Sequence, residues 1–186
     1  MNRVAVAVAT ALVLVATACG SDRGADVGLP GPVRPGYVYP APPQGTRIAP
    51  DFTLNLIDGP TIKASELWKD RPMVVVFFSS WCKECAEQQD IITELASRYR
   101  DVVVFVGVAG TRDNEKAVKD YRNQHHIDYM LGLDNGRKSI GQTYGLTDPP
   151  LVSLMAKGGG LVRGRPTAAN LEQDMNAVVI PQSGQK

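Results

Sequence analysis

Histidine is nearly absent from this chain of 186 residues, and the two that occur, His125 and His126, are adjacent. Side by side at the end of a polar stretch, they suit the C-terminal end of a helix dipole better than a multi-histidine ligand set. An excess of charge is missing as well: the formal net charge is +1, with acids and bases interspersed. That gives no electrostatic case for nucleic-acid binding. No segment has the form of a phosphate-cradling loop, the "DNG" at Asp134 to Gly136 reads as a turn, and no repeat is present. Cysteine is scarce, at three residues, and the positions of those three carry most of what the sequence says.

Residues 1–18 have one early positive charge, Arg3, then an apolar run of Val, Ala and Leu, then small residues leading to Cys19. This is the layout of a secretory signal. The run is short for a permanent membrane span once Thr10 and Thr17 are counted, and a single-pass anchor is the alternative. The segment "VATAC" resembles the lipobox of bacterial lipoproteins, with Ala16 where that motif usually has Leu; the resemblance implies lipidation of Cys19, with palmitate among the acyl chains. Cleavage there would remove Arg3 and no acid, leaving 19 residues of each sign. Membrane attachment would then rest on acyl chains rather than on a polybasic patch.

With Cys19 assigned to lipid, Cys82 and Cys85 remain; zinc would want four ligands and the only histidines are the adjacent His125 and His126, which argues against a structural metal site. No metal or other cofactor is expected. Residues 20–46 hold six Gly and six Pro in 27 positions, too poor in apolar side chains to offset the entropy of folding. Residues 19–46 therefore read as a lipidated cysteine and a tether, with a span on the order of 30 Å. Residues 47–181 have globular composition and suffice for one domain, and 182–186 form a tail.

Within that domain, "DFTLNL" alternates Phe52, Leu54 and Leu56 as a strand does, and "TIK" returns after a turn. "MVVVFF" is too uniformly apolar for a strand with one wet face, so it reads as a central strand covered on both sides. Ile92, Leu95, Ala96 and Tyr99 repeat at helical spacing. "DVVVFVGVA" is a second buried strand, "NEKAVKDYRNQHH" a polar helix, and "KSIGQTYG" a short helix ended by Gly145. "PPLVSLM" and "LVRG" pair around the glycine turn "KGGG", and "TAANLEQDMNAVV" closes the domain with a helix. Trp68 and Tyr99 read as core. Strands alternating with helices and ending in a hairpin give an α/β domain with a mixed sheet.

Cys82 and Cys85 fall where the buried strand gives way to the amphipathic helix. The first turn of a helix presents free N–H groups and the positive end of the dipole, both of which favour a thiolate. Cys82 is then the accessible nucleophile, and Cys85, one turn on, can form a disulfide with it or resolve a mixed one. A structural disulfide and an incidental thiol pair are the alternatives; the strand, Trp81 and the helix around the pair favour redox chemistry. Trp81 abuts the nucleophile and would shield it.

"APDFTL", "VVVFFSSWCKEC" and "YGLTDPPLVSLM" resemble, in that order, the first strand, active-site motif and proline-containing loop of thioredoxin-like extracytoplasmic proteins of the TlpA/ResA type. The resemblance covers about residues 48–180. It implies a thioredoxin-like fold, a central mixed β-sheet flanked by helices, with an N-terminal extension strand and an extra segment within residues 107–140. It also implies a cis-proline at Pro150 beside the cysteines, with the backbone around Pro149 and Pro150 hydrogen-bonding an incoming chain. The activity it implies is thiol–disulfide exchange outside the cytoplasm with cysteines of exported proteins, apocytochromes c among them, and with a membrane redox partner.

Three departures from the family pattern concern tuning. Lys83 and Glu84 stand between the cysteines, one favouring a thiolate and the other opposing it. Pro149 has no N–H to offer a substrate. Thioredoxins themselves hold a buried acid at the position of Val76, and ResA-type proteins often a glutamate at that of Gln88; neither valine nor an amide moves a proton, so deprotonation of Cys85 is expected to rely on water. Gln88 is expected on the buried stripe with Ile92. Rival functions are a copper-binding or partner-docking lipoprotein of thioredoxin fold, and a peroxiredoxin-like peroxidase, for which Val75 stands where a proline is typical.

Overall fold

The computed structural model describes residues 30–181 apart from 43, 137–138 and 164–166. The expected signal segment, Cys19 and the tail at 182–186 lie outside the described residues. The chain runs β1 (Tyr37–Val38), β2 (Thr53–Leu56), β3 (Thr61–Lys63), α1 (Ala64–Leu67), β4 (Met73–Phe78), α2 (Lys83–Arg98) and β5 (Val104–Ala109). It continues through α3 (Glu115–Gln124), β6 (Met130–Leu133), α4 (Ile140–Thr143), β7 (Leu151–Met155), β8 (Leu161–Arg163), α5 (Ala168–Asn176) and β9 (Ile180–Pro181).

Seven strands form one sheet in the order β3-β2-β6-β5-β4-β7-β8. The pairs β4–β5 and β5–β6 are parallel, whereas β2–β6, β4–β7 and β7–β8 are antiparallel. The sheet is therefore mixed, as expected for a thioredoxin-like fold. All six residues of β4 are buried, because a strand between β5 and β7 has a layer of side chains on each face. Val74, Val76 and Phe78 enter the core that holds Cys82, Cys85, Ile92 and Leu171. Met73, Val75 and Phe77 enter the opposite core, with Leu54, Trp68 and Ile140. The uniform apolar run is thus an ordinary two-residue period with both faces dry.

Strand β6 is absent from the sequence reading, which has only a turn at Asp134 to Gly136 in this neighbourhood. It is four residues long and contains Gly132, so it lacks both alternation and β-branched side chains. Glycine is required there by close approach: a Cβ would lie 2.5 Å from Leu54 Cγ and 2.6 Å from the Asn55 carbonyl oxygen. Helix α3 and β6 fall within the region, residues 107–140, where an extra segment was expected.

The Gly/Pro-rich stretch also differs from a free tether over the part described. Tyr37 and Val38 pair with Pro181 and Ile180 in a separate two-stranded sheet. The buried Arg71 donates to the carbonyl of Gly31 at 2.7 Å, and Arg34 pairs with Asp101 at 3.0 Å. Apolar composition understates such docking, because proline-rich backbone offers unpaired carbonyls and two tyrosine rings to a preformed surface.

Candidate active site

Strand β4 ends at Phe78, and four residues, Ser79 to Cys82, carry the chain to α2. Cys82 is the N-cap of α2: its backbone is extended and its Sγ accepts the N–H of Cys85 at 3.1 Å. One of the unpaired donors of the first turn is therefore aimed at sulfur. Cys82 and Cys85 are joined by a disulfide with Cα atoms 5.2 Å apart.

The peptide between Pro149 and Pro150 is cis. The Pro149 carbonyl oxygen lies 3.6 Å from Cys82 Sγ, so this position presents an acceptor toward the sulfur although it lacks a donor. The same contact corrects one expectation. Cys82 is buried, with 8% of its surface exposed against 3% for Cys85, so in the disulfide state the first cysteine is the less enclosed of the two but is not the open nucleophile that the sequence suggests. The proline loop covers it from one side and the helix turn from the other.

Trp81 is 54% exposed and stands at the rim of the site, with the guanidinium of Arg112 lying 4.3 Å over its ring. Lys83 is exposed and pairs with Glu87 one turn along at 3.5 Å, which draws its charge away from the sulfurs. Glu84 is an exposed acid in the first turn of α2, where it complements the dipole. Gln88 is only half-buried. The fully buried amide is Gln89, four residues after Cys85 and three before Ile92 on the inward stripe. Its Nε2 donates to the Tyr129 hydroxyl at 2.9 Å and to Thr93 Oγ1 at 3.1 Å. The spacing from Cys85 could have identified it.

Two further residues are brought in, Asp113 from the loop after β5 and Asp134 from the segment after β6. Asp113 Oδ1 accepts the N–H of Ser80 at 3.0 Å and also its hydroxyl. The Asp113 N–H donates to Gly110 O at 2.9 Å, and the Gly110 N–H to Phe78 O at 2.9 Å. This clasp ties the segment before Cys82 to the neighbouring strand, and Gly110 permits it, since a Cβ there would lie 2.6 Å from Ser79 Oγ. Asp134, which reads as a turn residue in sequence, has a buried carboxylate that accepts Ser139 Oγ at 2.7 Å and the N–H groups of Ile140 and Gly141 at 2.9 and 3.0 Å. It thereby fixes the start of α4 beside the cysteine-bearing edge.

A disulfide at a helix N-terminus, flanked by a cis-proline loop, can be opened by an incoming thiolate and re-formed by its own second sulfur. The comparisons agree with that chemistry. Residues 46–168 match the AhpC/TSA family. Over 127 residues the chain is 30% identical to the thiol-disulfide oxidoreductase ResA of Bacillus thuringiensis (strain Al Hakam), covering 67% of this chain and 72% of that protein. The solved structure of MTB DsbF in its mixed oxidized and reduced forms superposes with a TM-score of 0.59 at 25% identity, covering 68% of this chain and 94% of the other. A secreted Mycobacterium tuberculosis disulfide oxidoreductase homologous to E. coli DsbE shares the fold at 20% identity, with a TM-score of 0.59 and coverage of 68% and 95%. The chain belongs to the AhpC/TSA family, and within it to the thioredoxin-like thiol–disulfide oxidoreductases of the ResA type.

Proposed function

We propose that this oxidoreductase exchanges its Cys82–Cys85 disulfide with cysteines of exported proteins while held outside the cytoplasm by a lipid on Cys19. The observation that carries the reading is Cys82 Sγ at the N-cap of α2, accepting the Cys85 N–H and lying against the Pro149 carbonyl. In the oxidising direction a substrate thiolate attacks Cys82 Sγ and the Cys82–Cys85 bond breaks. Cys85 leaves as a thiolate and takes a proton. A second substrate thiolate then attacks the substrate sulfur of the mixed disulfide and releases Cys82 as a thiolate, which the helix N-terminus stabilises. The reducing direction runs the same steps backwards.

The secretory layout of residues 1–18 and the "VATAC" segment support the location. A redox titration of the cysteine pair, combined with insulin reduction and with oxidation of a reduced test protein, tests the reaction and gives its direction. Cys85→Ser is expected to accumulate a mixed disulfide on Cys82, and Cys82→Ser to form none. Absence of turnover in both directions would overturn the reading. Labelling of the membrane-fraction protein by a palmitate analogue, lost in Cys19→Ala, tests the anchor separately.

A further inference from the structure

Beside the disulfide the surface opens into a cleft of about 190 Å³. Trp81 and Pro149 wall it at the cysteine end, Thr111 and Arg112 line it from the loop after β5, and Gln142 and Thr147 line it from α4 and the segment beyond. It is smaller than the pockets that enclose a drug-sized molecule. It suits one or two side chains of an extended polypeptide, and its lining is mostly hydroxyl, amide and charge.

The charges around the cleft are not equivalent. Asp134 is buried and engages three donors through its two carboxylate oxygens. Asp113, beneath the loop, has Oδ1 committed to Ser80. Asp148 is exposed on the side of the cleft that leads to Pro149. Arg112 is exposed and makes no ion pair among the described residues. Its guanidinium carbon lies 4.3 Å from the centroid of the Trp81 ring. A cation–π contact commits none of the N–H donors to an acceptor, so the cation is held beside Trp81 with its donors still able to meet a carboxylate. A carboxylate seated in the cleft beside Trp81 can meet those donors, whereas one brought close to Asp148 meets a like charge.

We propose that this cleft is the subsite for the residue adjoining the substrate's reactive cysteine, and that Arg112 gives it a preference for aspartate or glutamate on one flank of that cysteine. The inference rests on the exchange reaction proposed above and names a substrate class for it. Trp81 is the platform that orders Arg112, and the exposed Asp148 beside Pro149 disfavours an acid placed near it.

The test uses the full chain in its oxidised form and reduced peptides that differ only beside the cysteine, with Asp, Asn or Lys on either flank. Attack on the Cys82–Cys85 disulfide is followed by appearance of the protein thiols. The Asp peptide is expected to react about three- to tenfold faster than its Asn counterpart on one flank only, as suits a charge-assisted, partly exposed contact. High salt should narrow that gap. Arg112→Gln should bring the Asp-to-Asn ratio to about one, and Arg112→Lys, which keeps the charge without the fork, should leave an intermediate ratio. Equal rates for Asp and Asn peptides with the unmodified protein overturn the subsite while leaving the exchange reaction standing. A preference that persists in Arg112→Gln, or that is insensitive to salt, overturns the role of Arg112. No exchange with any peptide overturns the reaction itself.

Discussion

Asp113 is separated from Ser80 by 33 positions in the chain, yet it accepts both the N–H and the hydroxyl of that residue and so fixes the turn from which Trp81 and Cys82 project. Asp113→Ala would leave a part-buried N–H and hydroxyl unpaired, at a cost of about 1–3 kcal/mol. The urea midpoint should fall accordingly, with Asp113→Asn nearer to the unmodified protein because an amide oxygen can still accept. Gln88 offers a prediction about protons. It sits three residues after Cys85, one helical turn away and half-buried, where an amide can hold a water but cannot take a proton. Gln88→Glu is expected to supply that base and to raise the rate at which Cys85 resolves a mixed disulfide near neutral pH, by about tenfold. A stopped-flow pH–rate profile unchanged by the substitution would show that the proton leaves by another route. The pair at 82 and 85 was legible because both residues belong to one local strand-to-helix junction. Asp113 and Arg112 were not, since their partners Ser80 and Trp81 are met only once two strands have paired.

Among the elements, β4 and α2 were readable for complementary reasons. One is an unbroken apolar run and the other an inward stripe at helical spacing, and both signals survive without knowledge of their neighbours. The stripe was read one residue out of phase at its N-terminal end: the buried polar position is Gln89, and Gln88 stands at its edge. Helix α2 continues the register Cys85, Gln89, Ile92, Ala96, so counting back from Ile92 by three rather than four finds the correct amide. Strand β6 could not be found that way. Its four residues pair with β5 in parallel, and Gly132 and Leu133 also pair with β2 in antiparallel register, so its side-chain pattern is dictated by that sandwiching. Gly132→Ala tests how tight the junction is. The added Cβ would press on the Asn55 carbonyl oxygen and the Leu54 side chain, and backbone cannot yield as a side chain can. A loss of about 1–3 kcal/mol is expected, read as a lower thermal midpoint with weaker amide protection in β2 and β6.

At the scale of the whole molecule, burial of tyrosine sets an alkaline limit. Burial pushes the hydroxyls of Tyr121, Tyr129 and Tyr144 well above their ordinary value, with nearby acids reinforcing the shift at Tyr121 and Tyr144. Below about pH 10 folded and unfolded chains both keep these protons. Above it the unfolded chain releases them first, so stability should fall by about 1.4 kcal/mol per pH unit for each tyrosine until its folded pKa is passed. Urea midpoints dropping steeply between about pH 10 and 12, with phenolate absorbance lagging that of the unfolded chain, are the expected outcome. The docked N-terminal stretch supplies a second molecule-wide prediction. Pro30 lines a small cavity together with Ala96, Arg100 and Phe105, close to the C-terminal end of α2, while the disulfide caps its N-terminal end. The 16 residues of α2 place these two regions roughly 24 Å apart. Removing residues 1–42 deprives Arg71 of the Gly31 carbonyl, uncouples β1 from β9 and exposes the core beside Tyr37 and Tyr39. The expected loss is about 2–4 kcal/mol, on the order of 10 °C in thermal midpoint. The reduction potential and exchange rate of the Cys82–Cys85 pair should stay unchanged, because the contacts named for residues 30–42 lie away from the cysteine end. A truncated protein that kept its thermal midpoint would mean that the stretch rests on the domain without holding it, and one with altered exchange kinetics would mean that the two ends of α2 communicate.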